Sequence, residues 1–130
     1  MTTMTDAAQR ISFVEPMPGF AGEDDYTLSA IDPRGLLFSL RGVHDPAVRF
    51  VLAPAQAFFD DYRPDVPRAV AGILGSDDVA LMLVLTIGSG LADATANLRA
   101  PIAMSTETGR AVQIVLDDES LPMRQPLLRH

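Results

Sequence analysis

Apolar and polar positions alternate in short runs along most of this chain, and the runs are separated by proline, glycine and aspartate. Tyr26-Thr-Leu-Ser-Ala-Ile31 alternates strictly, which predicts a half-buried strand ending at Asp32-Pro-Arg-Gly35. A hairpin follows, with Leu36–Leu40 as the return strand, Arg41–Asp45 as a connection and Val48–Ala53 as a further strand stopped by Pro54. Ile11–Val14 is a shorter alternating run, after which Glu15-Pro-Met-Pro-Gly-Phe20 imposes a turn and Phe20 is expected to re-enter the core. The longest apolar run, Val79-Ala-Leu-Met-Leu-Val-Leu-Thr-Ile87, has the length and branching of a strand buried on both faces. Ala111–Leu116 reads as a strand after a turn at Glu107–Gly109.

The period changes in the middle. Phe58, Phe59 and Tyr62 cluster within one helical turn, flanked by Asp60 and Asp61. In Val66–Leu74, Asp65 is placed to cap a helix, Pro67 suits its first turn, Val70, Ile73 and Leu74 share a face, and Gly75 ends it. This helix is expected to lie across a barrel mouth. Thr95-Ala-Asn-Leu-Arg-Ala-Pro-Ile-Ala-Met104 contains a forced bend: Pro101 lacks an N–H and drives Ala100 out of the helical region, so the chain is extended on both sides. Thr95, Asn97 and Arg99 share one face of it, and Ala96, Leu98 and Ala100 the other. Some seven short strands with one or two short helices predict a mainly β (α+β) domain, a small antiparallel β-barrel. Residues 1–9 are expected to form a flexible tail, 10–127 a single domain and 128–130 a short C-terminal tail.

Composition narrows the function. The chain has 130 residues, 17 acidic against 10 basic, a net charge of −7 and no cysteine. Such a charge repels nucleic-acid phosphates and attracts a basic partner, so direct nucleic-acid binding is not expected. No apolar run reaches the roughly 20 residues of a membrane span, and no basic leader precedes an apolar segment, which makes a cytoplasmic protein the expectation. The absent cysteines remove disulfides, thiol catalysis and thiolate metal sites. All ten basic residues are arginine, which reads as compositional bias.

Candidate chemistry is sparse. His44, beside Asp45 and Pro46, has no nucleophile near it in the sequence, and His130 is the last residue. Gly88-Ser-Gly90 lacks the spacing of a nucleophile elbow. The run Glu23-Asp24-Asp25 lacks the further carboxylates of a calcium loop and is expected to be a solvated loop tip. The groups Asp60-Asp61, Asp77-Asp78 and Asp117-Asp118-Glu119 sit where turns or caps belong. If they converged on one pocket they would instead supply a carboxylate-dependent enzyme with a site in the barrel mouth. Neither a cofactor nor a metal is indicated.

Four blocks, taken in order, resemble the flagellar assembly factor family FliW: Met17-Pro-Gly-Phe20, Thr95-Ala-Asn-Leu-Arg-Ala-Pro-Ile102, Gly109-Arg-Ala-Val-Gln-Ile-Val-Leu116 and Leu121-Pro-Met-Arg-Gln-Pro-Leu127. Thr95, Asn97, Leu98, Pro101 and Gln113 carry the structural part of the motif. The chain departs from the family pattern at Ser39-Leu-Arg-Gly42 and at Ala96, where the family has valine. The resemblance implies a non-enzymatic protein, monomeric when free, that binds flagellin in the cytoplasm. On release it would bind and antagonise the translational regulator CsrA. A FliW-like scaffold that has lost one partner is the alternative within the family. Phe58, Phe59 and Tyr62 are candidate anchors for an amphipathic flagellin helix, with a place in the core as the competing reading. Asp117, Asp118 and Glu119 are candidates for steering CsrA.

Overall fold

A computed structural model describes residues 8–17, 19–20 and 22–127. Among the described residues nine strands form one sheet: β1 (Gln9–Phe13), β2 (Asp25–Ala30), β3 (Phe38–Gly42), β4 (Arg49–Pro54), β5 (Ala80–Thr86), β6 (Thr95–Ala96), β7 (Ile102–Ser105), β8 (Arg110–Gln113) and β9 (Gln125–Pro126). Two helices, α1 (Ala55–Phe58) and α2 (Ala69–Leu74), lie between β4 and β5. The order β4-β3-β2-β1-β8-β7-β5 closes on itself through a β4–β5 pairing, so these seven strands make a barrel, while β6 and β9 continue the sheet beyond β5. Every pairing is antiparallel except β1–β8, where Ser12 and Phe13 run parallel to Arg110 and Ala111. The expected small, mainly β barrel is thus what the chain forms, antiparallel but for that one seam.

Alternation along the strands sorts side chains between an inner and an outer core. Ile11, Tyr26, Leu40, Leu52, Met82, Ile102 and Met104 fill the barrel interior. On β5 the sorting is complete: Met82 and Val84 join the interior cluster, whereas Leu83 and Leu85 join a second cluster outside the wall. This is the two-faced burial that the unbroken apolar run implies. The second cluster, with Phe59, Tyr62, Ala96, Leu98 and Leu127, lies beneath α1, β6 and the C-terminal segment. A third joins Val70 and Leu74 of α2 to Ala103 and Val112.

Those contacts place α2 against the outer wall over β7 and β8, not across a barrel mouth. The helix is also shorter than expected: Arg68 stands at its N-cap and no side chain caps it, so Asp65 does not serve. Val70 and Leu74 are buried, while Ile73 is 43% exposed, because a helix turns by about 100° per residue and carries Ile73 to one side of the face that Val70 and Leu74 share. Gly75 ends it at φ 75°, with its N–H and that of Ser76 both donating to Ala71 O.

Near the N-terminus three expectations change. Gln9 already opens β1, donating from Nε2 to Thr106 O at 2.6 Å. Phe20 is 37% exposed and meets Phe50 edge to face, and Met17 is the buried residue of that turn. Glu23 is 3% exposed rather than a solvated tip, and Asp25 belongs to β2. The Glu23 carboxylate replaces water with backbone donors: its Oε1 accepts from the N–H groups of His44 (3.0 Å) and Asp45 (2.6 Å). Gly42 lies under this group, and a Cβ there would stand 2.5 Å from both Glu23 Oε1 and Asp45 O. His130 and most of the two expected tails lie outside the described residues.

Candidate functional site

The bend at Asn97–Pro101 is a bulged excursion between β6 and β7. Ala96 pairs with Leu85 and Ile102 with Met82, so these five residues stand opposite only Leu83 and Val84. Groups leaving the ladder need partners, and the chain supplies them from three directions. Inside the bulge, Asn97 Oδ1 accepts the Arg99 N–H at 3.0 Å. From the aromatic segment, the Tyr62 hydroxyl donates to Leu98 O at 2.6 Å. The end of β8 and the region after it supply the rest: Gln113 Nε2 donates to Ala100 O, Ile114 N–H to Pro101 O and Leu116 N–H to Arg99 O, while Leu98 N–H donates to Pro122 O. Arg99 reaches the same region from the other side, donating from Nε to Leu121 O (3.0 Å) and from its terminal nitrogen to Glu119 O (2.9 Å).

Two otherwise separate segments therefore hang on one bulge, and a cleft opens between them. It has a volume of about 630 Å³ and is lined by Asp61–Asp65 on one wall and by Leu116, Asp117, Asp118 and Leu121 on the other. None of these residues belongs to the seven barrel strands, so the cleft lies outside the barrel. A smaller recess of about 240 Å³ continues past Tyr62 and Leu121 to Phe59, Leu98 and Gln125. The floor is apolar and the rim acidic. On the first wall, Gln56 Nε2 donates to Tyr62 O and Arg63 donates to Gln56 Oε1 and Asp60 O, which fixes the turn leaving α1. On the second, Asp118 Oδ1 accepts from the N–H and hydroxyl of Ser120. These hydrogen bonds, the hydroxyl's first, hold the Asp118 carboxyl below its usual pKa, with Arg99 adding to them. Burial pushes the Tyr62 hydroxyl up to about 12, so it remains a donor to Leu98.

The aromatic and acidic candidates thus meet in one place. Phe59 and Tyr62, each 5% exposed, are core residues; Tyr62 lines both the cleft and the recess, Phe59 the recess alone, and Phe58 is half-buried against the same cluster. Asp117 and Asp118 are on the rim, while Glu119 is exposed beside it and held by its carbonyl. Asp61 joins them, but Asp77 and Asp78 lie elsewhere, next to Ser76. Leu116 and Leu121 lie at the ends of the last two blocks of the resemblance, but nothing in the sequence marks them as lining a cleft. Their role needs the pairing of residues 97–101 with 113–122. His44 is exposed, 3.6 Å from Asp25. Among the described residues no cluster of His, Asp or Glu is arranged to hold a metal ion, and no helix is long and apolar enough to cross a membrane.

The family model described as FliW protein matches residues 1–127. The flagellar assembly factor FliW of Syntrophotalea carbinolica is 34% identical over 125 residues, covering 94% of this chain and 89% of that protein. The Bacillus licheniformis protein of the same name is 30% identical over 128 residues, covering 96% and 90%. A crystal structure of the flagellar assembly factor FliW superposes with a TM-score of 0.78 at 26% identity, covering 99% of this chain and 90% of that one. With the family model spanning nearly the whole length and the barrel matched in three dimensions, the chain belongs to the FliW family of flagellar assembly factors.

Proposed function

We propose that this protein binds flagellin in the cytoplasm and that, once released, it binds and antagonises CsrA, acting through the cleft between the Asp61–Asp65 and Leu116–Leu121 segments. The observation that carries the reading is the union of an apolar floor with an acidic rim in one cleft on a rigid frame. Amphipathic helices need an apolar strip to lie on, and Tyr62, Leu116 and Leu121 provide one. A basic regulator needs complementary charge, and Asp61, Asp65, Asp117 and Asp118 provide that. Sharing one surface makes the two partners alternatives, so release of one frees the site for the other. No step of this function requires a reacting group.

The test is calorimetric titration of the protein with flagellin and, separately, with CsrA. Leu121→Ser removes apolar floor at a half-buried position and is expected to abolish flagellin binding with the fold intact. The paired change Asp117→Asn and Asp118→Asn is expected to weaken CsrA while sparing flagellin. Full binding of both partners by both variants would remove the cleft from the function.

A further inference from the structure

The outer face of β2, β3 and β4 carries a charge pattern opposite to that of the molecule. Register places Arg10 beside Thr27, Thr27 beside Arg41 and Arg41 beside Arg49, so three arginines occupy one row across four strands. Arg41 and Arg49 are directly opposed and exposed, an arrangement of like charges that costs stability. Among the described residues neither has a carboxylate within ion-pair distance; Arg10 has only Asp25, at 3.8 Å. The Arg49 guanidinium is nonetheless held, donating from Nε to Ser39 Oγ at 3.2 Å. Together with Thr27, Ser29, Ser39 and Ile31, Arg41 and Arg49 line a groove of about 430 Å³. None of these residues lines the cleft described above.

The geometry points to a second docking site, for an extended acidic segment of a partner protein, with carboxylates seated on Arg41 and Arg49. Paired guanidinium forks beside hydroxyl donors suit carboxylates, each accepting two N–H bonds. The chain's own residues 1–7 contain a single acid, Asp6, too little to neutralise the row. Because β2 and β3 are paired on both edges, the groove offers side chains rather than free backbone to its occupant. Net charge chooses between acidic ligands. A nucleic acid brings a phosphate with every nucleotide and meets the repulsion of a −7 molecule along its whole length. An acidic segment on an otherwise neutral or basic protein meets it only locally.

Fluorescence anisotropy with labelled hexaglutamate, hexaglutamine and a short single-stranded RNA tests this. Hexaglutamate is expected to bind saturably and hexaglutamine not to bind. The double variant Arg41→Gln, Arg49→Gln is expected to lose affinity by about tenfold or more, the effect of roughly one strong contact. Its melting temperature should be unchanged or raised, since like charges are relieved; a merely structural pair would lower it. Asp117→Asn with Asp118→Asn should leave hexaglutamate binding intact, which separates this site from the cleft. Equal behaviour of the two peptides, retained affinity in the double variant, or tighter binding of the RNA than of hexaglutamate would overturn the proposal.

Discussion

At the scale of single residues, the side chains of Asn97 and Arg99 hold backbone. Asn97 gives its carbonyl oxygen to the Arg99 N–H, so Asn97→Ala orphans a half-buried donor; a loss of about 1–3 kcal/mol in denaturant unfolding is expected, with partner binding unchanged at low temperature. The polar face of Thr95, Asn97 and Arg99 was legible from spacing alone. The partners of Arg99 were not, because they are carbonyls more than 19 residues away and a carbonyl leaves no mark in a sequence. Tyr62 makes the complementary case, a core ring with one polar duty. Its hydroxyl pKa rises from 10.0 to about 12 on folding. The folded state therefore retains a proton that the unfolded chain loses first, so the contribution is complete below pH 10 and fades as the pH climbs towards 12. Melting temperatures measured across that range should fall, and the fall should be shallower in Tyr62→Phe. Burial, with Glu23 and Asp24, raises Tyr26 in the same direction, so some slope survives.

Elements show where periodicity suffices and where it does not. β5 follows from its unbroken apolar run, and the β2–β3 hairpin from its alternation and the Asp32 turn, where Asp32 Oδ1 accepts the N–H groups of Leu36 and Leu37 at 2.8 Å. α2 was legible as a helix but not in its position, since Val70 and Leu74 suit any apolar surface and only the β7–β8 register sets Ala103 beside Val112 to receive them. Glu23 was misread for a related reason: an acidic triplet usually faces water, and its burial depends on a turn 21 residues later. The end of β3 is built around that carboxylate. Gly42→Ala would force a Cβ to 2.5 Å from Glu23 Oε1 and Asp45 O, and a loss of about 1–3 kcal/mol is expected from chemical denaturation, an overpacking effect that a thermal melt should reproduce.

For the molecule as a whole, the acidic rim belongs to an acidic field, so its effect on a basic partner is expected chiefly in the association rate. Neutralising Asp117, Asp118 and Glu119 together should slow CsrA association by about tenfold at low ionic strength, in stopped-flow mixing, and the difference should vanish as salt shortens the screening length. An unchanged rate at low salt would move steering elsewhere on the surface. The barrel was legible from strand count and turn spacing, but its closure was not, because the ring that β4 and β5 close also needs a seam joining Ser12 to Arg110 across most of the chain. That parallel seam also orders events during synthesis. A nascent chain emerging from the ribosome can form β1 to β4 early, as each pairs with its neighbour in sequence, but the far edge of β1 stays bare until β8 has been made. Until then the nascent protein is an open sheet with an unpaired edge, the interval in which stray strand pairing is most dangerous to it.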